Sequence, residues 1–299
     1  MIQTFLFTLF FLGVFIQYTQ ATIQPNLQNL PTTIVTDYDL LTTADKVIDK
    51  DLFHYQVTGN YNSTGRPYSA FVAVFPPERF AFYPPEDAGC LQLKKTSQSS
   101  VTPPYNCEYA TNGAFFQWSM PASGSLCIGN LVSDGKVWQL PTDGSGTGRA
   151  NFGITDKDEV ITGFIDANVI ANTKFKQLIT GWGWLVRNGV SNVNVSQDLS
   201  YSPGGFTLEK APRTSVGVFK NGTMILLEID GEEDIEYGPD LFESAELLVS
   251  LGVHSAVNID GGGSSVAVYK GQVVDKPTCN DTPEICERAV ASITCVKSL

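Results

Sequence analysis

Basic residues are scarce in this chain of 299 residues: 19 Lys and Arg stand against 31 Asp and Glu, a formal net charge of −12. An acidic surface of that size repels nucleic-acid backbones and anionic lipid, which excludes both as main partners. One local arginine still suffices to hold a small anionic substrate. Histidine is scarcer still, with His54 and His254 the only two. Both read as packed or surface residues. No Cys-x-x-Cys pair accompanies them, so a zinc site of the usual donor set is excluded. No cofactor and no metal is therefore expected. The run Glu232-Glu233-Asp234 offers oxygen donors that suit Ca²⁺, but such runs are commonly just solvated. Long apolar runs are absent except for Phe5 to Ile16, which is shorter than the roughly 20 residues a bilayer span needs. It is followed by Thr19-Gln20-Ala21, a small-x-small cleavage pattern, although no Lys or Arg stands near Met1. Residues 1–21 are expected to be a secretory signal, leaving no membrane span in the mature chain.

What is present fits a folded, exported protein. Hydrophobic residues make up 42% and charged residues 17%, an ordinary globular balance. The six cysteines (Cys90, Cys107, Cys127, Cys279, Cys286, Cys295) fall in two clusters far apart in sequence. In an oxidising compartment they predict three disulfides, at least one tying the first cluster to the last; otherwise they are buried thiols. Asn62, Asn194, Asn221 and Asn280 each open an Asn-x-Ser/Thr glycosylation pattern. The expected location is the secretory pathway, with Golgi, a lysosome-like compartment and the extracellular space all open.

Residues 22–50 are polar and loosely patterned and read as an N-terminal arm, followed by one domain over 51–299 with no internal repeat or linker. Strand-like runs occur at 69–75, 110–116, 126–132, 137–140 and 159–165, set off by Gly, Pro and Asp turns. Residues 142–148 read as a loop, and Asp134-Gly135 as a hairpin turn. The clearest helix spans 239–251, with Leu241, Ala245, Leu248 and Val249 on one face and Gly252 as its stop. It connects strands at 223–229 and 257–259, a β–α–β passage that predicts parallel neighbours and brings Asp230 and Asp260 to one end of the sheet. The fold class expected is α+β: a single mixed-sheet domain, rich in short strands with few helices and stapled by disulfides.

The most informative stretch is Val257-Asn258-Ile259-Asp260-Gly261-Gly262-Gly263-Ser264-Ser265. Three successive glycines are costly to order and are kept where the backbone turns at positive φ or where something approaches closely. With an acid and hydroxyls beside bare N–H groups, the segment reads either as an anion or sugar site or as a plain turn. Arg213 with Thr214, Asp230-Gly231 and Asn112-Gly113 are further polar interruptions in strand-like surroundings. Each has a structural alternative. Phe115, Phe116, Trp182 and Trp184 read as core or as sugar-stacking aromatics.

In order along the chain, Thr111-Asn112-Gly113-x-Phe115-Phe116, Gly129 to Gly135, Asn151-Phe152-Gly153-Ile154, Arg213-Thr214-x-x-Gly217, Asp230-Gly231 and Asn258 to Ser264 resemble the phosphodiester glycosidase family. The likeness runs from roughly Phe53 to Val296. Ala114 stands where the family usually has glycine, and the Cys-rich segment, membrane span and tail of animal members are not expected. The resemblance implies disulfides Cys90–Cys127, Cys107–Cys295 and Cys279–Cys286. It also implies hydrolysis of an α-N-acetylglucosaminyl phosphodiester on a glycan or glycoprotein, leaving a phosphomonoester such as mannose 6-phosphate. A departing phosphomonoester is already a good anion, so cations and N–H donors matter more than a general acid. Arg213 is the expected phosphate cation, and Gly261, Gly262, Gly263 and Ser264 the expected backbone cradle. Asp260, then Asp230, is the expected catalytic carboxylate. Asn112, Gly113, Thr214 and more distantly Glu243 are expected at the substrate. The alternatives are a glycosidase acting on another glycosyl phosphodiester or polysaccharide, and a secreted glycan-binding protein without turnover.

Overall fold

A computed structural model describes residues 36–42, 51–85, 89–118, 125–140, 149–199, 204–279 and 286–299. The expected signal 1–21, most of the arm, the loop 142–148 and Asn280 lie outside the described residues. Within the arm, Asp37–Thr42 forms a strand at the edge of a six-stranded sheet, paired with Glu159–Phe164. Arg187 grips its Asp37 and Asp39 at 2.7–2.9 Å.

The sheet that positions the site has seven strands in the order Val190–Ser191, Trp184–Arg187, Ser255–Asn258, Arg213–Val218, Met224–Ile229, Pro67–Phe75 and Phe53–Asn60. Its middle strands are apolar on both faces for a reason. Phe75, Val216, Leu226 and Val257 join the main core with Phe80, Phe82, Phe152 and Trp184. The alternating partners Ala70, Val72, Ile225, Leu227 and Ala256 pack beneath the helix Leu241–Ser250, against Leu241, Ala245 and Leu248. A sheet covered on both sides demands near-continuous hydrophobicity. A five-stranded sheet, Gln272–Val273, Ala267–Tyr269, Cys107–Asn112, Ile293–Lys297 and Phe80–Tyr83, completes the architecture.

The fold is strand-rich with few helices, as expected, but every ladder among the described residues is antiparallel, so the sheet is not mixed. The expected parallel neighbours Met224–Ile229 and Ser255–Asn258 are separated by Arg213–Val218, which pairs with both. The cause is local. Residues 219–223 close a tight turn, with Phe219 N–H on Thr223 O and Gly222 N–H on Phe219 O, so the hairpin takes the neighbouring position and the helix crosses over it. Asp230 and Asp260 still leave the same end of the sheet, and Arg213 starts there between them.

The helix begins at Leu241, two residues later than expected. Asp240 is its N-cap and forms a reciprocal capping box with Glu243, satisfying two otherwise orphaned N–H groups. Asp134 and Gly135 form the expected hairpin turn at φ 47° and 79°. The three disulfides join Cys90 to Cys127, Cys107 to Cys295 and Cys279 to Cys286. The second spans 188 residues of chain, a closure that stabilises by up to about 5 kcal/mol through the unfolded state. Among the described residues no helix is long and apolar enough to cross a membrane. Asn62, Asn194 and Asn221 are exposed.

Candidate active site

Two of the three glycines seat a charged side chain, and the first seats a backbone carbonyl. A Cβ on Gly261 would press on Pro212 O at 2.9 Å and stand 3.6 Å from Arg213 Cδ. One on Gly262 would overlap the Glu233 carboxylate, and one on Gly263 would overlap the Arg288 guanidinium and meet Cys279 Cβ at 2.7 Å. Gly262 also sits at φ +57°, where a side chain is strained. The turn is bare so that Glu233 and Arg288 can converge beside Asp260, with the Arg213 stem in ordinary contact at Gly261. Glu233 and Arg288 themselves pair at 3.9 Å. Gly262→Ala is expected to destabilise the chain by about 1 kcal/mol and to push Glu233 aside. Chemical denaturation beside an activity assay checks this; unchanged values in both would show that the close approach is dispensable.

Two N–H groups of the expected phosphate cradle are spent on the fold of the turn itself. Gly262 N–H donates to Pro212 O and Ser264 N–H to Gly261 O, closing a short 3₁₀ turn over Gly262–Ser264. Those two N–H groups are therefore already engaged.

Asp260 is 8% exposed. Burial pushes its carboxyl up to about 7, although Ser264, the Gly261 N–H and the Arg288 charge all pull it down and Glu233 adds to the rise. Its Oδ2 is buried without a hydrogen-bond partner. A strongly raised carboxyl with an unengaged oxygen in a charged setting is a recurrent feature of reactive sites. Arg213, 2% exposed, leaves Nε without a partner while its Nη2 donates to the carbonyls of Phe206 and Glu209. Burial lowers its pKa, against the opposing charges of Glu209, Asp240 and Glu233.

Behind the turn, Asn112 Nδ2 donates to Asp260 O, and Asn112 Oδ1 accepts from Thr214 Oγ1 at 2.7 Å. Gly113 O accepts from Asp260 N–H at 3.1 Å. Gly113 itself lies too close to Ser292 for any side chain. Asn112, Gly113 and Thr214, expected at the substrate, are buried and hold the Asp260 backbone in place.

In front of the turn lies an open cleft of about 570 Å³ lined by Gly205, Phe206, Leu208, Glu209, Lys210, Ala211, Glu233 and Glu236. Phe206 stacks under Arg213 at 4.7 Å and joins Trp182 at 5.1 Å and Phe115 at 6.0 Å. All three rings are half-buried. Trp184, by contrast, is pure core, its Nε1 donating to Ser255 at 2.9 Å.

A family model described as phosphodiester glycosidase matches residues 105–297, a span that takes in Asn112, Arg213, Glu233, Asp260 and Arg288. The chain belongs to the phosphodiester glycosidase family. It is 34% identical over 219 residues to the N-acetylglucosamine-1-phosphodiester α-N-acetylglucosaminidase of Mus musculus, covering 70% of this chain and 41% of that protein. Identity to the Homo sapiens protein of the same name is 32%, over 70% of this chain and 41% of that one. The match thus spans about two fifths of these curated relatives. Among solved structures, the zebrafish catalytic domain of that name, auto-inhibited by its pro-peptide, superposes with a TM-score of 0.74 at 27% identity, covering 88% of each chain. A Synechocystis protein at 15% identity shares the fold alone, with a TM-score of 0.58 over 82% of this chain and 61% of that one.

Two acids expected at the phosphodiester glycosidase site have other surroundings. Asp230 accepts from Ser69 Oγ at 2.7 Å and from Lys276 N–H at 3.2 Å, beside Glu228 and Asp275. Burial raises its pKa, against those two bonds and the Lys276 charge. Glu243 is 1% exposed, closes the helix cap and pairs with Arg66 at 2.6 Å and Lys210 at 2.9 Å, which makes it a structural anchor. Glu233, read as part of an acidic run that is either solvated or suited to Ca²⁺, and Arg288, not singled out at all, are the neighbours of the turn that sequence reasoning missed. The signal was the glycine triplet itself, because three missing side chains imply three neighbours that fill the space.

Proposed function

We propose that this chain hydrolyses an α-N-acetylglucosaminyl phosphodiester such as GlcNAc-phospho-mannose, releasing GlcNAc and leaving a phosphomonoester such as mannose 6-phosphate, in the secretory pathway. The observation that carries the reading is a buried carboxylate with an unengaged oxygen, on a side-chain-free turn and under the charge of Arg288. Family membership, the relatives' names and the oxidised cysteines support it.

In this mechanism Arg288 and the free Nε–H of Arg213 hold the phosphate oxygens, as fork-shaped donors do. The C1–O bond breaks toward a phosphomonoester that leaves as an anion, so no strong general acid is needed. Asp260, ionised, takes a proton from the water that adds to C1 and steadies the positive charge developing there. Glu233 orients Arg288. Phe206 and Trp182 offer the sugar a stacking face.

The direct test is GlcNAc release from synthetic GlcNAc-phospho-mannose by the secreted protein. Release is expected, and its absence from a folded preparation sinks the proposal. Since Asp260 works ionised, kcat/KM is expected to fall tenfold per pH unit below about 7. Glu233 raises the Asp260 pKa, so Glu233→Gln should move that acid limb to lower pH. A limb that stays in place, or moves up, would remove Asp260 as its origin.

A further inference from the structure

A second group of acids lies at the same end of the seven-stranded sheet but has its own walls. Glu228 and Asp230 close the strand Met224–Ile229, and Asp275 comes from the segment after Gln272–Val273. Each offers a carboxylate oxygen, and these lie within 4.8 Å of one another. Glu228 Oε2 and both Asp275 oxygens are buried without a hydrogen bond of good geometry, although the Ala267 and Asp275 N–H groups lie near enough to draw the Asp275 pKa down. Among the described residues none of the three forms an ion pair with Lys or Arg; Lys276 lies near enough only to ease Asp230 by its charge.

An acidic cluster alone can simply share protons, but a fourth group points the same way. Tyr109, on the strand Cys107–Asn112 of another sheet, is 1% exposed and its hydroxyl has no partner. The charges that act on that hydroxyl are Glu228 and Asp275. A buried phenol facing buried carboxylates would ordinarily donate to one of them. Here the phenol and the Glu228 and Asp275 carboxylates together leave four oxygens unsatisfied, and such a group calls for a cation.

We propose that Glu228, Asp230 and Asp275, with Tyr109 beside them, form a Ca²⁺ site. All the donors are hard oxygens, which suits Ca²⁺ or Mg²⁺ and not zinc. Calcium–oxygen distances of about 2.3–2.6 Å let one ion reach oxygens up to ~5 Å apart, whereas the smaller magnesium sphere would need them drawn together. Asp275, with two unengaged oxygens, binds bidentately, Glu228 through Oε2, and Asp230 through the lone pairs left by Ser69 and Lys276. Water completes the shell. The ion offsets a buried charge of up to three carboxylates. It also fastens residues 274–278 to the sheet just before Cys279, whose Cβ abuts Gly263 of the active-site turn.

The test uses the full secreted chain, stripped with EDTA and dialysed, with Ca²⁺ alone as the probe. Equilibrium dialysis is expected to find one Ca²⁺ per chain, and millimolar Ca²⁺ to raise Tm by about 5 °C or more. Asp275→Asn and Glu228→Gln should each remove both effects, while Asp234→Asn, in the neighbouring acidic run, keeps them. Should either variant fail to fold, stoichiometry and the Tm response of the wild type still decide. The proposal is overturned if the wild type binds no Ca²⁺, if it responds to Mg²⁺ alone, or if binding survives in both variants.

Discussion

Asp260→Asn is expected to lower turnover about 10³-fold or more while making the folded chain more stable at neutral pH. The first part follows from removing the carboxylate that we propose activates water, since a positioned general base contributes on the order of 10²–10⁴. The second follows from linkage. The folded Asp260 carboxyl titrates at about 7 against an ordinary 3.8. Between those values the unfolded chain releases its proton while the folded chain keeps it, so stability falls as pH rises, and the full penalty applies above 7. Its size is on the order of 2–4 kcal/mol. Asparagine keeps the shape and cannot ionise. Melting curves should therefore show a higher Tm than wild type at pH 8 and nearly the same Tm at pH 4. Normal turnover would remove Asp260 from the chemistry. A lower Tm at pH 8 would show instead that the ionised carboxylate is well solvated or paired.

That trade between stability and activity also shows what a sequence can disclose. Local chemistry was legible: Asp134-Gly135 as a hairpin turn, the apolar face of the helix, and an acid ending a strand before glycines. Those features depend on residues a few positions apart. Strand order was not legible, because a short hairpin competing with a helical crossover for the same neighbouring position is decided by pairing geometry that composition does not encode. The convergence of Glu233 and Arg288 on the glycine turn is likewise a tertiary fact, since they lie far apart in the chain and meet only after folding. Asn112 illustrates the opposite error. A polar residue inside a strand was read as facing substrate, yet its amide reaches through the core to hold the Asp260 backbone. The pairing of the cysteines came from family likeness, and spacing alone had left it open.

Glu243→Ala is expected to destabilise the chain by about 3 kcal/mol, the range for breaking a buried ion pair from one side. One carboxylate here satisfies Arg66, Lys210, Thr64 and the Asp240 N–H, so its loss leaves Arg66 without a carboxylate, leaves Lys210 to Asp240 alone and removes half of the capping box. Burial alone would raise its pKa, but hydrogen bonds from Thr64, Lys210 and the Asp240 pairing outweigh it and hold the carboxyl below its ordinary 4.5. The stability it contributes is thus fully present above pH 4.5 and is lost as pH falls through the lower folded value. Glu243→Gln, which keeps the shape, should lose less than alanine and should flatten that acid dependence. Lys210 also lines the cleft, so the same experiment separates two roles for the glutamate. A substrate ligand would show as a raised KM in a chain of unchanged Tm. The structure predicts the reverse: a lowered Tm in both variants, with KM near wild type wherever the protein remains folded.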